Sequence, residues 1–163
     1  MQPPAATATP SGTAAAAPAD LSLRDTVNPS DAHAVRRIVE SSGFFLPHEI
    51  EIAEELVRER LARGTGSGYH FVFADRGGDT VGYSCFGPIC CTQWSFDLYW
   101  IAVRDACRGG GIGRRILLES EERIRAAGGR RVYIETSSRD LYLPTRRFYL
   151  RCGYEVEAIV EEF

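Results

Sequence analysis

Residues 108–113 read Arg108-Gly109-Gly110-Gly111-Ile112-Gly113. They follow a run rich in aromatic and β-branched residues, Ser95 to Val103, and open a stretch with helical apolar spacing. A glycine loop that leaves a strand and opens a helix can aim several backbone N–H groups at one point, with no Cβ in the way. The positive end of the helix dipole lies at the same point, so the loop suits an anion, above all a phosphate. Arg104, Arg108, Arg114 and Arg115 surround it. By itself the pattern is equally that of a flexible connector beside a solvated arginine cluster.

The identity of the phosphate is narrowed by elimination. All 19 basic residues are Arg, which excludes a Schiff-base lysine and a P-loop lysine. A P-loop needs Gly-Lys-Ser/Thr where Arg114-Arg115 stands. A dinucleotide fingerprint needs a third glycine where Arg114 falls, and this loop comes late, after a hairpin.

Other residues could carry proton chemistry. Asp97 lies in the Ser95–Val103 run, and Glu135 lies among Val132, Tyr133, Ile134 and Thr136, a run otherwise built for burial. A carboxylate there needs a partner or a function. The competing reading for either is a structural ion pair with one of the many arginines. The five cysteines, Cys85, Cys90, Cys91, Cys107 and Cys152, are odd in number, include an adjacent pair and contain no C-x-x-C. Neither a disulfide framework nor a zinc site fits, and with His33, His48 and His70 scattered no metal is expected. Buried thiols in a reducing cytoplasm are the plain reading.

The elements that must position these residues follow from periodicity and punctuation. A short strand, Leu21 to Arg24, opens the domain. Asn28-Pro29 reads as an N-cap and first-turn proline of a helix to about Ser41, with Ala34, Val35, Ile38 and Val39 on one face. A second helix runs from Pro47 to about Ala62, with Ile50, Ala53, Leu56, Val57 and Leu61 as its apolar stripe. Gly64 to Gly68 reads as a flexible break. Strands are predicted at Tyr69 to Ala74 and Thr80 to Phe86, joined by a turn at Asp75–Asp79, then at Ser95 to Val103. A helix from Ile112 to about Ala127, a strand Arg131 to Thr136, a helix Pro144 to Cys152 and a strand Tyr154 to Val160 complete the chain. The class is mixed α/β (α+β), a hairpin followed by a strand–helix–strand unit.

Composition sets the bounds. The chain has 163 residues, 44% apolar and 25% charged, which suits one domain. The net charge is −3 and the aromatics are dispersed, so nucleic-acid binding is not expected. No apolar run approaches the roughly 20 residues of a membrane span. Apart from Met1 and Gln2, residues 1–20 are Pro, Ala, Thr, Ser and Gly up to Asp20, the first charge, and read as a disordered tail, with a processed targeting segment as the alternative. The domain is expected to span residues 21–163.

With its neighbours, the glycine loop resembles the GNAT family of N-acetyltransferases. The family's acetyl-CoA motif, R/Q-x-x-G-x-G/A, matches Arg108 to Gly113. Tyr99 to Val103 (YWIAV) resembles its fourth strand, and Pro144 to Glu155 (PTRRFYLRCGYE) its last helix and following turn. The resemblance covers about residues 21–163. It implies a mostly antiparallel sheet with helices on both faces and splayed fourth and fifth strands. It implies acetyl-CoA as cosubstrate, its pyrophosphate on Arg108, Gly109, Gly111, Gly113 and Arg114, and its pantetheine arm along Ile101, Ala102 and Val103. Ile101 would offer an N–H to the thioester oxygen. The expected activity is direct acetyl transfer to a small-molecule or peptide primary amine, with Tyr149 as general acid and Asp97 or Glu135 as base. For Tyr149 the competing reading is packing beside Phe148. A covalent cysteine route through Cys85, Cys90 or Cys91 is the less favoured mechanism, since the family normally uses a ternary complex.

The acceptor pocket is expected from the first two helices, Phe44 to His48, and the Pro88–Trp94 loop. The family usually has one more strand after Tyr154–Val160, inserted between the fifth and sixth. Its absence before Phe163 implies a shortened chain, a homodimer whose second subunit contributes a strand, or direct pairing of the sixth with the fifth. The alternative function is a catalytically silent CoA-binding sensor or partner module. The expected location is cytoplasmic.

Overall fold

The computed structural model describes residues 21–160; the expected N-terminal tail lies outside them. Five strands form one sheet in chain order: β1 (Leu21–Arg24), β2 (His70–Arg76), β3 (Asp79–Pro88), β4 (Ser95–Val103) and β5 (Arg131–Tyr133). The first four are antiparallel neighbours, and β5 joins β4 in parallel. Helices α1 (Asp31–Ser42) and α2 (Pro47–Arg63) lie between β1 and β2, α3 (Ile112–Ala126) links β4 to β5, and α4 (Leu143–Arg151) follows.

Alternation of side chains along the strands builds two cores. Phe71, Phe73, Tyr83, Cys85 and Ala102 face α1 and α2, under Val35, Ile38, Val39, Ala53 and Val57. Val72, Ala74, Phe86, Phe96 and Leu98 face α3, under Ile112, Ile116, Leu117 and Ile124. Gly82 lets α3 approach: a Cβ there would lie 2.8 Å from Ile116 Cδ1. Buried Ser84 and Ser120 share a hydrogen bond of 2.7 Å, and Ser120 donates to Ile116 O, tying β3 to α3. Helices therefore cover both faces of a mostly antiparallel sheet, as the resemblance implied.

Several local expectations are corrected. Asn28 does not cap α1. Ser30 occupies the N-cap without a side-chain bond, and Asp31 accepts the Asn28 N–H at 2.7 Å instead. The buried Asp31 carboxylate is also held by Arg24 at 2.7 and 2.8 Å, and Arg24 reaches Asp75 at 2.7 Å. On α2 the buried stripe is Ala53, Glu54 and Val57, while Leu61 is exposed near the helix end; Glu54 is paired with Arg36 and Arg58. Residues 64–67 form a 3-10 turn. The β2–β3 turn is only Gly77-Gly78, with φ of 61° and 87°, a two-residue hairpin that needs both glycines. The thiols are free and not uniformly buried: Cys85 is buried, but Cys90 and Cys91 are exposed.

The larger differences lie after α3. The strand expected over Arg131–Thr136 stops at Tyr133, and Glu135 lies beyond it, exposed. The strand expected over Tyr154–Val160 does not form, and Val156, Ile159 and Val160 are well exposed. A strand needs a neighbour to take its ladder hydrogen bonds, and among the described residues none lies beyond β5.

Candidate active site

The β4–β5 ladder has three rungs, Ser95 to Arg131, Phe96 to Val132 and Asp97 to Tyr133. Past Asp97, β4 runs on to Val103 without a partner on that side. The β3 pairing explains the parting. Cys85 pairs with Trp100 and Phe86 with Leu98, so Tyr99 is an extra residue in β4. Such a bulge increases local twist and bends its strand. In an antiparallel ladder alternate residues turn both N–H and C=O away from the partner. The stretch containing Ile101, Ala102 and Val103 therefore offers backbone donors and acceptors to the open side.

This free edge leads into the glycine loop. Gly109 and Gly111 have φ of 81° and 77°, and a Cβ built at Gly109, Gly110 or Gly111 meets nothing within 4 Å. Gly111 is the N-cap of α3 and no side chain caps that helix. The loop is thus an open cradle of backbone N–H groups at a helix N-terminus. Gly113 is half-buried, with its Cβ position 3.6 Å from the Phe148 ring. Arg108 stays beside the cradle: it donates to Val103 O at 3.3 Å, pairs with Asp105 at 3.1 Å and lies 5.1 Å from the Phe44 ring centre. Arg114 is exposed. Arg104 and Arg115 instead bond Thr80 O and Leu21 O, so half of the expected arginine cluster serves the fold.

Tyr149 on α4 packs beside Phe148, ring centres 5.2 Å apart, and edge-on to Tyr154 at 5.9 Å. Burial, helped by Cys152, pushes its phenol well above the ordinary value and keeps it protonated. Asp97 lies between Phe96 and Leu98, which face α3, so its side chain takes the α1–α2 face. Burial, and then the negative charge of Glu135, lift its carboxyl above the usual range. The structure therefore couples the two candidate bases electrostatically. It does not support burial of Glu135, because β5 ends two residues earlier.

On the α1–α2 side, Phe45 meets Trp100 at 4.9 Å and Phe44 meets Tyr142 at 6.2 Å, with Arg139 over the Tyr142 ring. His48 is exposed, and Glu49 caps α2 by accepting the Leu46 N–H at 2.6 Å. In the Pro88–Trp94 loop, Trp94 stacks under Arg130 beside β5. Sequence reasoning missed Tyr99 as the bulge, although the apolar spacing Phe96, Leu98, Ile101, Val103 skips one residue there. It also missed Tyr142 and Arg139, which carry no local signal. Among the described residues no group of three or more His, Cys, Asp or Glu is placed to hold a metal, and no helix is long and apolar enough to cross a membrane.

A bulged strand with one free edge, ending in a glycine cradle at an uncapped helix, defines a class of domain. Such an arrangement is suited to an extended ligand along a strand with its phosphates on the following helix. Residues 67–156 match the family model of the acetyltransferase (GNAT) domain. An acetyltransferase assigned to the GNAT family from Desulfovibrio desulfuricans is 47% identical over 88% of this chain and 91% of its own, with a TM-score of 0.87. The chain belongs to the GNAT family. The fold alone is shared with PaiA N-acetyltransferase from Thermoplasma acidophilum, solved with coenzyme A (16% identity, 87% of this chain and 94% of that one, TM-score 0.70). It is also shared with an aminoglycoside N-acetyltransferase solved with CoA (14% identity, 91% and 97%, TM-score 0.72). No match is found among curated proteins.

Proposed function

We propose that this protein transfers an acetyl group from acetyl-CoA directly to a primary amine of a small molecule or peptide, in an acetyltransferase domain spanning residues 21–163. The observation that carries this reading is the continuity of the free β4 edge with the open glycine cradle. Acetyl-CoA supplies the activated acyl thioester. The backbone N–H groups of Gly109, Gly111, Gly113 and Arg114 hold its pyrophosphate; the Arg108 N–H is bonded to Asp105 O at 3.1 Å, so Arg108 contributes through its side chain beside the cradle. The Ile101, Ala102 and Val103 stretch holds the pantetheine arm as an added strand, through the outward backbone groups of Ile101 and Val103. The Ile101 N–H is aimed at the oxygen that gains charge during attack.

Asp97 removes a proton from the ammonium form of the acceptor, through a bridging water because an aspartate is short. Its raised carboxyl brings its proton affinity nearer to neutrality, as a general base requires, and Glu135 contributes the neighbouring charge. Tyr149, kept protonated by burial, donates to the departing thiolate from the α3–α4 side. The Phe44, Phe45 and Trp100 rings line the acceptor approach and favour an amine with some apolar bulk. Support for an amine comes from a structural neighbour, an aminoglycoside acetyltransferase solved with sisomicin. Five free thiols suit a cytoplasmic setting.

Thermal unfolding with acetyl-CoA, CoA and ATP tests the first step. At about a hundred times its dissociation constant a ligand adds roughly 2.7 kcal/mol, a shift of roughly 5–10 °C for a domain of this size. A shift with the CoA species alone is expected, followed by acetyl-CoA turnover in an amine screen. Binding without turnover across a broad panel would instead identify a silent CoA-binding module.

A further inference from the structure

The β3–β4 turn carries two thiols that acetyl transfer does not use. Thr92 N–H donates to Ile89 O at 3.2 Å, which makes Cys90 and Cys91 the central residues of a β-turn. Cys91 has φ of 62°, the one non-glycine residue with positive φ among the described residues. The second central position of a type II turn ordinarily takes Gly or Asn, so a cysteine there holds its backbone against its own Cβ. The turn is clamped: Ile89 N–H bonds Ser95 O at 2.9 Å and the Thr92 hydroxyl bonds Ile89 O at 2.8 Å. Both thiols are free and exposed.

We infer that Cys90 and Cys91 form a two-thiol site for a soft trivalent arsenic centre carrying one organic substituent. Two consecutive thiols in a clamped turn make the second sulfur bond intramolecular, at high effective concentration. Soft sulfur ligands select a thiophilic centre. No third His, Cys, Asp or Glu completes a metal-binding group among the described residues. That count argues against tetrahedral zinc, which needs four ligands or three and a water. It suits a trivalent centre whose third position is filled by its own substituent. With an arsenoxide, two S–H bonds and the As–O bonds break, two S–As bonds form, and the oxygen leaves as water with both protons. No electron is transferred. The turn lies between β3 and β4, and the inference stands independently of acetyl transfer.

The test uses the full chain and phenylarsine oxide, read by intact-protein mass. One adduct per chain is expected, stable to excess 2-mercaptoethanol and removed by 2,3-dimercaptopropanol. Cys90→Ser and Cys91→Ser should each weaken capture by about a hundredfold or more, with unfolding temperatures near the parent's, while a Cys107→Ser, Cys152→Ser double variant retains it. An adduct that survives in either Cys90→Ser or Cys91→Ser, or one lost to the monothiol, overturns the proposal.

Discussion

Asp97 and Tyr133 form the last rung of the β4–β5 ladder. The candidate base thus sits where the two strands part, at the closed end of the β4 edge that leads to the glycine loop. Its position explains both its partial burial and its exposure to the Glu135 charge beyond the end of β5.

The acid limb of the rate profile should report this arrangement. Only ionised Asp97 accepts a proton, so kcat/KM should fall with decreasing pH at a midpoint above the ordinary aspartate value of about 3.9. Glu135→Gln removes a like charge and should move that midpoint down. Asp97→Asn should abolish the limb and lower kcat by about 10²–10⁴. An unchanged limb in Asp97→Asn would assign the base elsewhere.

Gly109→Ala should weaken CoA binding, measured by calorimetry. A Cβ at φ of 81° costs about 1–2 kcal/mol in that conformation. Relaxing this strain turns the N–H away from the cradle, so affinity should fall while the rest of the fold persists. Affinity equal to the parent's would show that the loop does not hold the phosphate.

Tyr149→Phe keeps the ring that packs on Phe148 and Tyr154 but removes the proton donor. Turnover should drop by at least about tenfold, within the range of acid–base contributions, with CoA affinity retained. Equal loss of both would make Tyr149 a packing residue.

Alkaline stability should reflect Tyr83 and Cys85. Burial raises both above their ordinary values. The folded state therefore favours their neutral forms. This stabilisation is complete below the unfolded values, about 8.5 for a thiol and 10 for a phenol, and is lost as pH rises beyond them. The buried Tyr83 hydroxyl has no hydrogen-bond partner, so Tyr83→Phe should raise the melting temperature, by an amount matching about 1 kcal/mol. It should also soften the alkaline fall. Destabilisation in Tyr83→Phe would mean that the hydroxyl is satisfied.

Arg24 and Asp31 join β1 to the start of α1, with the Asp31 side chain 2% exposed. Asp31→Ala leaves the guanidinium without its innermost partner and removes the carboxylate that holds Asn28. A loss of about 3–5 kcal/mol is expected in denaturant unfolding. A loss below about 1 kcal/mol would show that Asp75 suffices.

Much of this protein was readable because it is local. The glycine loop, β4 and α3 are adjacent in the chain, so spacing alone placed the cradle between strand end and helix start. Alternation in β2 and β4, and the 3.6-residue period in α1 and α3, set most of both cores. What depended on neighbours distant in sequence was not readable. Glu135 looked buried because its flanks are apolar, yet β5 ends before it. Tyr154–Val160 has strand-like composition, but composition cannot provide the adjacent strand that a ladder requires. Arg104 and Arg115 read as part of an arginine cluster around the loop, yet tertiary packing brings backbone carbonyls to them. The Asp97–Glu135 coupling joins β4 to a residue just past the end of β5, with a whole helix between them in the chain. A residue's type and local period are written in the chain, but its solvent exposure and its electrostatic partners belong to surfaces that exist only once the chain has folded.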